Sequence, residues 1–214
     1  MVIVILGPTC VGKTKLSVEL AKKINGEIIN ADSTQIYKDL DIATAKVTEE
    51  EKEGIPHHLF DIKDINDDYT VFDYQNDCRK FINDILSRGK TPILVGGTGL
   101  YIKSALYNYE FINDDNNTYN DLSNDELYNK VICLDKDNTI HKNNRKRLVR
   151  ALNYMEATHK PYSKKEKTND ILYDALFIGL TCDRNVLYDR INKRVDVMVK
   201  CGLLEEAKKI LYQY

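Results

Sequence analysis

Residues 7–14 read GPTCVGKT, and no other stretch constrains the chain as much. The octapeptide fits G-x-x-x-x-G-K-[ST]. In that pattern glycines let backbone N–H groups close around phosphate oxygens, the lysine reaches the outer phosphates, and the hydroxyl residue ligates Mg2+. Such a loop works only between a strand and a helix. Met1–Leu6 is an apolar run ending at Gly7, as a buried parallel strand does. Lys13–Ile24 carries Leu16, Leu20 and Ile24 at four-residue spacing, which predicts a helix. Gly7, Pro8, Thr9, Cys10, Val11, Gly12, Lys13 and Thr14 are therefore the candidate phosphate-binding residues, with Thr14 the candidate metal ligand.

Further along, GEIINADS (26–33), HHLFDI (57–62), TPILVGG (91–97) and ALFIGLTC (175–182) read as strands. Val71–Arg88, the segment from Thr98, Arg145–Lys160 and Val186–Lys200 read as helices, with Gly89 as a stop signal and Asp183 as an N-cap. Alternation of the two implies an α/β fold: a parallel sheet of the P-loop NTPase-like kind, flanked by helices. The stretch NDDNNTYNDLSND (113–125) is almost wholly polar and predicts an exposed loop or the edge of an insertion. The expected organisation is a core of residues 1–108 and 144–214, with 109–143 as a reduced insertion. Net charge is −2, so a nucleic-acid partner would have to be met by a local basic patch. Five scattered cysteines without a C-x-x-C pair indicate no disulfide framework and suit a reducing cytoplasm. The apolar start is too short to span a membrane. The adjacent His57 and His58 suit hydrogen bonding better than joint metal binding.

Hydrolases with this loop add an apolar strand ending in Asp to hold the metal. Here PILVGG ends in glycines, and Asp32 instead closes the strand before it, followed by Ser33, Thr34 and Gln35. Ligands of open parallel sheets sit outside the carboxyl ends of strands, so Asp32 is expected near the loop, as a general base or a Mg2+ ligand. GGTGLY (96–101) ends another strand, where Gly96, Gly97 and Gly99 permit close approach and Thr98 offers a hydroxyl. Arg145, Lys146, Arg147 and Arg150 form a dense basic run, which a solvated helix face would also explain. Arg190 and Arg194 lie one turn apart, suited either to helix-surface ion pairs or to a leaving pyrophosphate.

Taken together, GPTCVGKT, NADSTQIYKDLDIATAK, IPHHLFDI, TPILVGGTGLYI, NRKRLVRALNYMEATHKPYS and RINKRVDVMVKCGLLEEA resemble the tRNA dimethylallyltransferase family, in the family's order from one end of the chain to the other. The resemblance implies that dimethylallyl diphosphate is the donor and that its pyrophosphate fills the loop. Lys13, Thr14, Mg2+ and Arg194 would stabilise the leaving group, with Thr98 near the bridging oxygen. Asp32 would accept the proton of adenine N6 at position 37 of a tRNA. Asp32, Ser33, Thr34, Gln35 and Thr98 would line the acceptor pocket. Lys146, Arg147, Leu148, Val149 and Arg150 would contact the anticodon arm. A cytoplasmic monomer is expected. Members of the family run on past the segment resembling GLLEEA and carry a fuller insertion, so the chain reads as truncated or as a short form. A small-molecule kinase binding ATP, or an isopentenyltransferase acting on free adenine nucleotides, are the other readings of the same loop.

Overall fold

The computed structural model describes residues 1–109, 111, 119–164 and 170–213. Chain contacts group Met1–Tyr109 with Asp170–Tyr214 in one compact unit, and Glu110–Asn169 in a second.

The first unit is built on five strands, β1 (Val2–Leu6), β2 (Gly26–Asn30), β3 (His57–His58), β4 (Thr91–Gly96) and β5 (Ala175–Gly179), in the order β3-β2-β4-β1-β5. Every pairing is parallel. Side chains alternate between the faces, so one apolar strand feeds two cores. Val2 and Val4 of β1, with Ile29 and Leu94, pack against Tyr74, Cys78, Ile82 and Ile85 of α3 (Val71–Ser87) and Ile102 and Ala105 of α4 (Gly99–Leu106). Ile3 and Ile5, with Ile28 and Ile93, pack on the other face against Val18 and Ala21 of α1 (Lys13–Ile24). A sheet covered on both faces explains why its inner strands read as unbroken apolar runs. A single turn of helix, α2 (Glu49–Lys52), opens with a capping box of Thr48 and Glu51.

The strand after β2 is reduced to His57 and His58, shorter than 57–62. Their rings make hydrogen bonds, His57 Nδ1 with the Ile55 carbonyl and His58 Nε2 with Glu27, each at 2.8 Å. β4 lies between β2 and β1. That places the GGTG turn, which follows β4, between the loop after β1 and the turn after β2.

The second unit contains α5 (Asn124–Leu134) and α6 (Arg145–Thr158), followed by a short 3-10 turn, Tyr162–Lys164. Its core is Leu127 and Val131 of α5 against Leu148, Ala151, Leu152 and Met155 of α6. The expected return to the main core at residue 144 is therefore corrected to 170. The apolar stripe of α6 is spent on α5, not on the sheet. Helix α5 falls within the stretch assigned to a loop and insertion. Its signal was present as S-x-x-E: Ser123 and Glu126 form a capping box, followed by the core residues Leu127 and Val131. Of the polar segment 113–125, residues 113–118 lie outside the described residues, and 119–122 form turns.

After β5 come α7 (Arg184–Lys200) and α8 (Leu203–Gln213), neither of which buries a residue. Asp183 stands at the N-cap of α7, but its side chain makes no capping hydrogen bond. Among the described residues no helix is long and apolar enough to cross a membrane.

Candidate functional site

The phosphate loop leaves the carboxyl end of β1 and turns through two left-handed residues, Cys10 (φ 62°) and Gly12 (φ 91°). Glycine at position 12 is required by the backbone angle, since a Cβ there would touch nothing within 4 Å. Lys13 opens α1 and folds back, donating from Nζ to the carbonyls of Gly7 at 2.9 Å and Pro8 at 2.7 Å. The ammonium therefore stands over the loop. Its pKa is lowered, first by burial; Asp32 acts to raise it and Arg194 to lower it further. Those two charges sit at the same end of the sheet as Lys13. Thr14 is exposed at the start of α1, and its hydroxyl makes no hydrogen bond among the described residues.

The second wall is the turn after β2. Asn30, buried at the strand's end, donates from Nδ2 to the carbonyls of Asp32 and Leu59, and its Oδ1 accepts from the Asp32 N–H. Tyr74 of α3 donates to the Asn30 carbonyl at 3.0 Å and stacks on Tyr101, ring centroids 3.9 Å apart. These buried contacts fix the direction of Asp32. Its Oδ1 accepts from Thr34 N–H at 3.0 Å and Thr34 Oγ1 at 2.8 Å. Its Oδ2 makes no hydrogen bond among the described residues. Asn30 and Tyr74 were not singled out from the sequence. The only hint was an Asn in an otherwise apolar run.

Between the walls lies the turn after β4. Gly96 is required by contact: a Cβ there would sit 2.1 Å from the carbonyl oxygen of Ala31. The Thr98 N–H donates to that same carbonyl at 3.1 Å. Thr98 Oγ1 accepts from the Ser33 N–H at 3.2 Å and lies 3.5 Å from Ser33 Oγ. Thr98 thus ties the Asp32 turn to the centre of the sheet.

The fourth contribution comes from α7. Arg194 donates from Nη1 to Thr9 Oγ1 at 3.1 Å and lies 3.6 Å from Cys10 Sγ, while Arg190 reaches the Cys10 carbonyl at 3.4 Å. Loop, Asp32, Thr98 and Arg194 all belong to the first unit.

The basic run belongs to the second unit, and its residues differ in character. Arg145 spends its guanidinium on the carbonyls of Leu122 and Tyr119, both at 2.6 Å, and braces the start of α6. Lys146, Arg147 and Arg150 are exposed. Leu148 is 0% and Val149 4% exposed in the α5–α6 core. Their side chains anchor the helix that carries the exposed cations.

This fold and site define a class: a phosphate-loop α/β protein in which a carboxylate and a threonine share the sheet edge with the loop, and the adjacent β4 ends in glycine instead of a metal-binding acid. The IPP transferase family model matches residues 35–214, and the chain belongs to that family. It is similar to the tRNA dimethylallyltransferase of Anoxybacillus flavithermus, 48% identical over 221 residues, 99% of this chain and 71% of that one. With the Bacillus subtilis enzyme of the same name it shares 47% over 222 residues, covering 98% and 71%. Among solved structures, a tRNA isopentenylpyrophosphate transferase from Staphylococcus epidermidis matches with a TM-score of 0.70 and 45% identity, over 99% of this chain and 73% of that one. A eukaryotic dimethylallyltransferase acting on tRNA matches with a TM-score of 0.90 and 36% identity, over 100% and 56%.

Proposed function

We propose that this chain transfers the dimethylallyl group of dimethylallyl diphosphate to N6 of adenine-37 in tRNA, releasing pyrophosphate. The observation that carries the reading is the shared sheet edge: a phosphate loop roofed by Lys13, and a carboxylate with an unengaged Oδ2 whose charge acts on that lysine. The names of the relatives support tRNA as the acceptor and a dimethylallyl group as what is transferred. Lys13, the loop N–H groups and Arg194 would hold the diphosphate of the donor. As the allylic C–O bond breaks, its electron pair passes to a pyrophosphate oxygen, and these fixed cations and dipoles stabilise the charge that gathers there. The N6 lone pair forms the new C–N bond, and the N6 proton goes to Asp32 Oδ2. Thr98, already bonded to Ser33, would orient the bridging oxygen against the acceptor. The adenine must leave its stack to enter, and Asp32, Ser33, Thr34 and Gln35 would line its seat.

The free hydroxyl of Thr14 fits Mg2+, which keeps most of its waters and needs few protein ligands when phosphates supply the others. Bound there, the ion would screen the charge of the leaving pyrophosphate. Lys146, Arg147 and Arg150 would meet phosphates of the anticodon arm, positioning it without reading its bases.

The test offers labelled dimethylallyl diphosphate with adenine-37 tRNA, with AMP, and with neither, and ATP with the same acceptors. Label in tRNA alone supports the reading. Label in AMP alone moves the acceptor to free nucleotides, and phosphoryl transfer from ATP would replace prenyl transfer altogether.

A further inference from the structure

The carboxylate of Glu206, on α8, accepts three backbone hydrogen bonds from a turn far away in sequence. The N–H groups of Asp41 and Ile42 donate to Oε2 at 2.9 and 2.8 Å, and that of Ala43 donates to Oε1 at 2.9 Å. Consecutive N–H groups converging on one anion form a nest, and charge-assisted bonds of this kind are about twice as strong as neutral ones. Lys209, one turn further along α8, pairs with Asp39 at 2.7 Å. The turn held in this way is strained at both ends, with left-handed Asp39 (φ 61°) and Ala45 (φ 46°).

The same turn reaches into the acceptor side of the site. Gln35 donates from Nε2 to the carbonyls of Thr44 at 2.9 Å and Ala45 at 3.4 Å. Lys46, whose side chain is 6% exposed, binds the Tyr37 carbonyl at 2.8 Å, Asp41 at 2.7 Å and Asp61 at 2.5 Å. The side chain of Gln35 is thus held by carbonyls whose own position depends on the 41–43 turn.

We propose that Glu206 is a positioning residue for the base-accepting segment: its carboxylate fixes the 41–43 turn, and through Thr44, Ala45 and Lys46 it sets Gln35 and the chain that follows Asp32. This rests on the prenyl-transfer reading, in which residues 32–35 receive the adenine. Glu206 touches neither substrate. It acts on acceptor binding by preorganisation, and the donor side, built from the loop, Lys13 and Arg194, does not depend on it.

The experiment compares the 214-residue chain with Glu206→Ala and Glu206→Gln. It measures donor Kd, KM for tRNA, kcat, thermal midpoint, and amide exchange at residues 41–43. In Glu206→Ala, exchange at 41–43 speeds by at least roughly tenfold as the turn opens locally. KM for tRNA rises by about tenfold while kcat changes less and donor Kd stays put. Glu206→Gln falls between, because one amide oxygen still accepts from Asp41 and Ile42 while its NH2 faces the Ala43 donor. A staple that merely holds α8 would lower the thermal midpoint and the active fraction, reducing kcat with KM unchanged. That result, or unchanged exchange at 41–43, overturns the proposal while leaving the prenyl-transfer reading intact. A wild-type chain that prenylates no tRNA overturns both.

Discussion

Arg194 Nη1 donates to Thr9 Oγ1 at 3.1 Å, joining α7 to the phosphate loop across 185 positions. Together with Arg190 on the Cys10 carbonyl, it makes the late helix a fourth side of the site. On the proposed reading, a guanidinium held there would meet a diphosphate with a planar, permanently charged fork, which a lysine does not reproduce.

Arg194→Ala and Lys13→Ala are therefore expected to weaken donor binding, or to slow bond cleavage, by at least roughly tenfold, about 1.4 kcal/mol. Arg194→Lys should recover only part of the loss. Donor titration and single-turnover rates check this. An Arg194→Ala chain with wild-type donor affinity and rate would take Arg194 out of the site.

The exposed cations of α6 make a separate prediction. Each phosphate contact that releases a counterion contributes close to one unit to the salt slope of binding. Lys146→Ala with Arg147→Ala should weaken tRNA binding across sequences and flatten the slope of log K against log salt by roughly two. Leu148→Ala should act differently, loosening the α5–α6 core in which Leu148 is buried. Binding measured from low to high salt checks this. An unchanged slope would place the RNA surface elsewhere.

The sheet, its parallel sense and the loop were legible because each is written locally: apolar runs ending in glycine, and a motif between strand and helix. Asp32 and Thr98 were legible because strand ends in such sheets face one edge. Strand order was not, because β2 and β4 pair through contacts no local pattern encodes. The assignment of α6 to the main core failed for the same reason. Its stripe of Leu148, Leu152 and Met155 fits a sheet or a helix equally well, and the partner, α5, was hidden in a polar stretch. Burial of the Leu148 and Val149 side chains was not legible, because the basic run was read as a unit. Helical geometry turns adjacent residues to different faces.

Glu27 sits at the opposite end of β2 from Asp32 and is nearly buried, its side chain 3% exposed. Arg88 donates to both carboxylate oxygens at 2.6 and 2.8 Å, and Lys90 and His58 add bonds at 2.7 and 2.8 Å. Hydrogen bonds from Arg88 first, then from Lys90 and His58, hold its pKa far below the usual carboxylate range. A depressed pKa means stability that is present above the unfolded value, near 4.3, and lost as pH falls towards the folded one. Glu27→Gln should cost about 2 kcal/mol at neutral pH, less than a fully buried pair because Arg88 and Lys90 stay partly hydrated. It should also remove that part of the acid-side loss. Urea midpoints at pH 7 and below pH 4 check both. A variant whose stability falls with acid as steeply as wild type would contradict the assignment.

Asp32→Asn separates prenyl transfer from phosphoryl transfer. The amide oxygen can keep the bonds that Thr34 N–H and Oγ1 make to Oδ1 at 3.0 and 2.8 Å, so the turn should survive. The substitution removes only the proton acceptor at Oδ2. If Asp32 takes the N6 proton, donor binding and Mg2+ dependence stay near wild type while the single-turnover rate falls by roughly 10²–10⁴-fold. If Asp32 holds the metal, as in a kinase, the variant binds its phosphate substrate poorly and needs much more Mg2+. Loss of the Asp32 charge also removes an interaction that raises the Lys13 pKa, so a modest weakening of donor binding at alkaline pH is expected in either case. Measurement near neutral pH keeps that effect out of the comparison. Donor binding that is lost and then restored by extra Mg2+, with a normal rate once bound, would end the general-base assignment.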